Sequence, residues 1–338
     1  MSEKRFENHL FYIDEERADV VFPRLIDAYV NKQEIYKDPN LSPVHLLPLN
    51  LEGSVDQAKF HFYSIMGDCR VKSEVNYRKF KDLHQKDKKY FDPKFLASQP
   101  IPQDDFGKPE KGTLGDIIRG SIGSDSPVRL SRYIIQSSKT LVDNYDSNPL
   151  NIFKDIKDVR EARKKIIREF DGYGPQLSSL LLIYYIMNNL IHFDNDNELL
   201  PKVDFHDITI TFALGVLKPK FTDPGKGMGR ERVADKLQEF LSYYVQKYNK
   251  SIFELDEALW ILGSSVCSRV DWLECYDKCA VKEYCYIKPG SDYKKDKKHN
   301  GEILEKYYKI YPLIESRRIN IGDLADLFIP SFDQRILK

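Results

Sequence analysis

The sequence predicts a mainly α-helical protein, on three observations. Apolar residues recur at i, i+3 and i+4 along most of the 338 residues, the spacing of one helix face. Residues 177–187, LSSLLLIYYIM, are apolar on nearly every side, which marks a central buried helix, with a buried strand as the alternative. Gly, Pro, Asn and Ser punctuate the chain between periodic segments. The length allows two modest lobes or one large helical domain with insertions, and 41% hydrophobic residues suffice for a core.

In order, residues 16–31 place Val20, Val21, Leu25, Ile26 and Tyr29 at helical spacing, and residues 56–81 offer Ala58, Phe62, Ile65 and Met66. Residues 84–112 mix prolines, glycines and charges and read as a connection or mobile loop. Helical signals resume in LGDIIRGSIG, LSRYIIQSSKTLVDNY and KDVREARKKIIREF. After the polar stretch 188–200, VDFHDITITFALGVL carries Phe205, Ile208, Ile210, Phe212, Leu214 and Val216 in a partial period of two, which locally favours a strand. A basic loop follows at 219–230, then a helix with Val233, Leu237, Phe240, Leu241 and Tyr244 on one face.

The 52 basic and 52 acidic side chains cancel, so a polyanionic partner must be read from local clusters. These are RKFKDLHQKDKK, REARKK, KGMGRER and KKDKK, which are solvated lysine-rich segments or parts of a nucleic-acid-facing surface. No run approaches the roughly 18 apolar residues of a membrane span, and the charged start MSEKRFENHL lacks an apolar signal core. A soluble, cytoplasmic protein is expected. Cys267, Cys275, Cys279 and Cys285 fall within 19 consecutive residues, a compact set suited to a metal or cluster and unlike a spread disulfide framework. Cys69 stands apart and reads as a small buried hydrophobe.

Gly172-Tyr173-Gly174 lies between a basic amphipathic segment and the buried helix. Two glycines allow a sharp turn and leave the next helix's amides uncovered, an arrangement able to bind a phosphate. Alone it is equally an ordinary interhelical connection.

FDGYGPQLS followed by Val203-Asp204-Phe205-His206 resembles the helix-hairpin-helix DNA glycosylase superfamily, whose hairpin is followed by a VDxH motif. The cysteine loop resembles that of endonuclease III and the adenine glycosylases, through the lead-in LWILGSSVCSR. Here each of the first two cysteine intervals is one residue longer than in those relatives. The resemblance implies a two-lobed helical glycosylase fold with a helix-hairpin-helix motif (about 162–187) and a four-cysteine cluster loop. Residues 1–112 would be N-terminal helices and a connecting loop, partly packing with the cluster lobe. Residues 113–217 would form the hairpin-bearing helical barrel, with VDFHDITITFALGVL a helix despite its local alternation, 218–290 the cluster region, and 291–338 a C-terminal helical extension.

The resemblance further implies that Asp204 is the catalytic carboxylate, since a fixed anion stabilises the oxocarbenium-like charge of N-glycosidic cleavage. On the residues alone, Asp204 also suits a helix cap. Gly172, Tyr173, Gly174 and Gln176 would bind a DNA phosphate. Gln176 stands where bifunctional relatives carry a lysine, and glutamine cannot form an imine. The implied enzyme is therefore monofunctional and leaves an abasic site, in repair or in defence against modified foreign DNA. The alternative is an inactive DNA-binding protein of the same fold. Its partner would be duplex DNA with an extruded base, bound by a nucleoid-associated monomer. Met66 falls near the residue that fills the gap left by the base, or is a core methionine. The four cysteines would hold a [4Fe–4S] cluster, with zinc as the alternative, and Arg269, Lys278 and Lys282 would contact phosphates.

Overall fold

The computed structural model describes residues 6, 11–68, 73–103, 107–219, 230–266 and 278–284. These are mainly helical: α1 Glu15–Val30, α2 Ser54–Met66, α3 Ser73–Lys86, α4 Pro93–Ala97, α5 Leu114–Ser121, α6 Pro127–Tyr145, α7 Val159–Glu169, α8 Pro175–Met187, α9 Phe205–Ala213, α10 Arg230–Tyr248 and α11 Ile252–Ile261. Two short strands, β1 Phe11–Ile13 and β2 Leu217–Pro219, pair antiparallel with Phe11 opposite Pro219. Among the described residues no helix is long and apolar enough to cross a membrane.

The chain divides into two compact units, one made of residues 1–38 and 203–338, the other of residues 39–202. The sequence places divisions at 112 and 217; the observed cuts fall elsewhere because β1 pairs with β2 and α1 packs on α11. The first 38 residues thereby join the C-terminal part, whereas α2, α3 and α4 belong with the segment carrying 172–174.

In the first unit, Asp14 starts α1 by accepting a hydrogen bond from the Arg17 N–H at 3.0 Å. The buried face of α1 is Ala18, Val21, Phe22, Leu25, Ile26 and Ala28. Val20, expected on that face, is 48% exposed; at 100° per residue it lies off the stripe set by Ala18, Phe22 and Leu25. Phe22 meets Tyr244 edge-on at 5.0 Å, and Phe6 meets Phe240 at 5.2 Å. The Tyr36 hydroxyl donates to the Ala258 carbonyl at 2.8 Å.

Residues 205–213, whose alternation locally favours a strand, form α9. Its buried Asp207, Ile208, Ile210 and Thr211 follow helical spacing once the ends are set. Gly215, with φ of 73°, stops the helix, and the Val216 N–H reaches back to the Thr211 carbonyl at 2.8 Å, a Schellman closure.

In the second unit α8 is buried from Ser178 to Tyr185, and the helix reading of that apolar run holds over the strand. The Tyr185 hydroxyl donates to the Ala58 carbonyl at 2.7 Å, tying α8 to α2. The stretch 84–112, expected as a loop, is partly ordered: α3 extends to Lys86, and Asp92 with Pro93 starts α4. Phe91 and Leu96 are buried at 3% and 0% exposure, so apolar burial draws this segment into the unit. Residues 188–200 are docked as well. Phe193 packs edge-on against Phe153, and Asn195 Oδ1 accepts from the Val159 N–H at 2.9 Å, capping α7 jointly with Asp158.

Candidate active site

Asp204 lies in the first unit, directly before α9. Its Oδ1 accepts a hydrogen bond from the His206 N–H at 2.7 Å, and its own N–H donates to Asp207 Oδ2 at 2.8 Å. The Asp204 side chain thus satisfies the His206 N–H and the Asp207 side chain the Asp204 N–H, a variant of the capping box built from Asp-x-x-Asp. The box fixes the Asp204 carboxylate at the helix start, where the dipole favours an anion. Asp204 stays half-buried while Asp207 is 1% exposed. The cap that its residue type suits is thus observed at Asp204.

The end of α9's first turn is set by the segment that leads into the cysteines. After α11 the chain makes a π-helical turn, Leu262–Val266. The His206 ring Nδ1 donates to the Gly263 carbonyl at 3.1 Å, which fixes the imidazole as the tautomer protonated at Nδ1. The glycine of the LGSS lead-in is thereby placed on the VDFH helix. At the far end of α9, Arg17 Nε donates to the Leu214 carbonyl at 2.8 Å, and Arg17 also donates to the Tyr284 carbonyl.

Gly172, Tyr173, Gly174 and Gln176 lie in the second unit, where residues 170–174 join α7 to α8. Gly172 has φ of 91°, and a Cβ there would lie 2.9 Å from the Tyr133 ring; both conformation and space require glycine. Tyr173 is buried, its hydroxyl donating to the Phe62 carbonyl at 2.5 Å and its N–H to the Phe170 carbonyl at 3.2 Å. Its side chain serves as an anchor of the turn to α2.

Gly174 is the N-cap of α8, with open space where a Cβ would stand. Pro175, which has no N–H, opens the helix, and Gln176 holds its second position. Arg163 of α7 bridges to α8, donating to Ser179 Oγ at 2.8 Å and to the Pro175 carbonyl at 3.0 Å. Met66, the last residue of α2, is 3% exposed. Ser64 in the same turn donates to the Phe60 carbonyl at 2.7 Å.

Cys279, Lys278 and Lys282 are described, and Cys279 is 5% exposed. Cys267, Cys275, Cys285, Arg269 and the C-terminal extension 291–338 lie outside the described residues, as does Cys69. Among the described residues no group of three metal-ligating side chains occurs.

No family model matches the chain. No curated protein matches it. The chain is similar to a solved structure described as Methanocaldococcus jannaschii 8-oxoguanine glycosylase/lyase in complex with 15mer DNA containing 8-oxoguanine. The identity is 15% and the TM-score 0.43, over 73% of this chain and 93% of that one. A likeness at that level assigns no activity.

Three participants were not singled out in the sequence. Asp207 is legible as Asp-x-x-Asp at a helix start, and Gly263 is the glycine of LWILGSSVCSR. Lys202, two residues before Asp204, gave no signal of its own; its partner, Asp68, is 134 positions away.

Proposed function

We propose that the protein is a DNA N-glycosylase that hydrolyses the bond between deoxyribose and an altered base, leaving an abasic site. The observation that carries the reading is the Asp204 carboxylate at the start of α9, held by the His206 N–H and braced by Asp207. An anion held rigidly before the sugar arrives costs no reorganisation when positive charge develops there. The same carboxylate orients the attacking water and accepts its proton.

Phosphate binding is assigned to the amides around Gly174 and Gln176, where the missing Cβ of Gly174 leaves room for close approach. Gln176 supplies an amide where an amine would be needed for imine formation, which supports a monofunctional enzyme. The partner is duplex DNA with its target base extruded, in repair or in defence against modified foreign DNA, with the protein acting as a soluble monomer at the nucleoid.

Cys267, Cys275, Cys279 and Cys285 would hold a [4Fe–4S] cluster whose part is to shape a loop that presents Lys278 and Lys282 to phosphates. A brown protein absorbing near ~400 nm is expected. Colourless protein with stoichiometric zinc would replace the cluster by a zinc site.

The test is incubation with duplexes each bearing one altered base, followed by alkali. Alkali-dependent cleavage that Asp204→Asn abolishes is the expected result. Binding without cleavage on any duplex would make the chain an inactive DNA-binding protein, and cleavage without alkali would contradict the role given to Gln176.

A further inference from the structure

We infer that Lys202, clamped by Asp68, is a positioning residue for the Asp204 carboxylate. The inference rests on the reading of Asp204 given above. Lys202 Nζ donates to Asp68 Oδ2 at 2.8 Å, and the two side chains are 11% and 3% exposed. Two other ion pairs among the described residues are more open to water: Lys88–Glu52 is 36% and 80% exposed, and Arg168–Glu169 is 69% and 25% exposed. Pairs of that kind hold little in place. A lysine is rarely buried unless its charge is matched in a defined geometry.

The acceptor is itself immobilised. Asp68 Oδ1 accepts from Ser73 Oγ at 2.6 Å, and the Asp68 N–H donates to the Ile65 carbonyl at 3.0 Å. Asp68 is thus pinned between the end of α2 and the start of α3, and Lys202 is pinned to Asp68. Lys202 is the last residue of the second unit. Asp204 follows two residues later, and on its other flank the capping box and the bond from His206 to Gly263 hold the chain within the first unit. Lys202 is therefore held within the second unit, and Asp204, two residues on, is held within the first. Such anchoring matters because catalytic groups tolerate only small displacements from productive geometry.

The same geometry argues against Lys202 replacing the lysine absent at 176. Imine formation needs an amine free to reach the sugar, and Lys202 Nζ is engaged by Asp68 Oδ2 within the second unit.

The test uses Lys202→Met, Lys202→Arg and Asp68→Asn in the full chain, with two independent readouts. The first is hydrogen exchange at the His206 amide, whose acceptor is Asp204 Oδ1. Exchange is expected to quicken in Lys202→Met and to return towards the parent rate in Lys202→Arg; unchanged exchange in Lys202→Met overturns the proposal.

The second readout is single-turnover release of whichever altered base the protein excises, beside affinity for a duplex containing a tetrahydrofuran abasic analogue. Lys202→Met should slow release about 10- to 100-fold while affinity holds, as displacement of a catalytic group by ~1 Å does. Asp68→Asn combined with Lys202→Met should be no worse than either alone. Loss of affinity in place of rate, or a borohydride-trapped adduct that disappears in Lys202→Met, would overturn the positioning role. Undiminished base release by Asp204→Asn would instead remove the glycosylase reading of Asp204, whatever the exchange data show.

Discussion

The main chain of Gly263 lies against that of His206 so closely that a Cβ at residue 263 would stand 2.9 Å from the His206 carbonyl oxygen and 2.9 Å from its Cβ. Backbone cannot swing aside as a side-chain tip can, so Gly263→Ala must displace the first turn of α9 or the π-helical turn. A stability loss of about 1–3 kcal/mol, the usual range for overpacking a core, is expected. Urea denaturation of Gly263→Ala checks it, and an unchanged midpoint would show that the two segments part without cost.

Asp204 has a structural task that can be separated from a chemical one. Asparagine caps helices about as well as aspartate, so Asp204→Asn should leave stability near the parent value. Asp204→Ala removes the acceptor of the His206 N–H and should cost about 1 kcal/mol. If the carboxylate does the chemistry, both variants lose base release although only one loses stability. Activity surviving in Asp204→Asn and falling in Asp204→Ala would reduce the residue to a cap.

The helices were legible where one face is apolar over several turns, as in α1 and α10, or where a whole segment is apolar, as in α8. α9 was harder, because Ile208, Ile210 and Phe212 alternate. Its ends decide the matter: Asp204 and Asp207 start a helix and Gly215 ends it, and these local signals outweigh a period of two across nine residues. Unit boundaries were not legible near residues 38 and 202, since they follow from the pairing of Phe11–Ile13 with residues 217–219. No local pattern reports a contact of that separation. The bond from Lys202 to Asp68 was hidden for the same reason.

Gly172 combines a left-handed φ of 91° with a ring of Tyr133 where its Cβ would be. Gly172→Ala therefore suffers both backbone strain and overlap, and should lose about 2–4 kcal/mol when the two are summed. Gly174→Ala is the internal control, because its φ is −81° and nothing lies within 4 Å of the added methyl. Thermal unfolding should separate the pair clearly. If the amides at this turn hold a DNA phosphate, Gly174→Ala should still weaken duplex binding despite its stability, as the methyl covers the helix start.

His61 is fully buried in α2, its ring meeting Tyr184 edge-on at 5.4 Å, and neither ring nitrogen has a protein hydrogen-bond partner. Burial alone pushes its pKa from 6.5 down to about 3, because the cation would be stripped of water without a counter-charge. Between those values the unfolded chain binds a proton that the folded chain refuses. Stability should therefore climb with pH across that interval, at up to ~1.4 kcal/mol per unit from this group, and its contribution should level off above 6.5. His61→Leu, close in volume and unable to titrate, should flatten that limb and narrow the gap between stabilities at acid and neutral pH. Urea midpoints measured for both proteins across this range decide it: parallel curves would mean that His61 is protonated in the fold, and hence that its surroundings are wetter than the packing of Phe60, Tyr184 and Tyr185 around it implies.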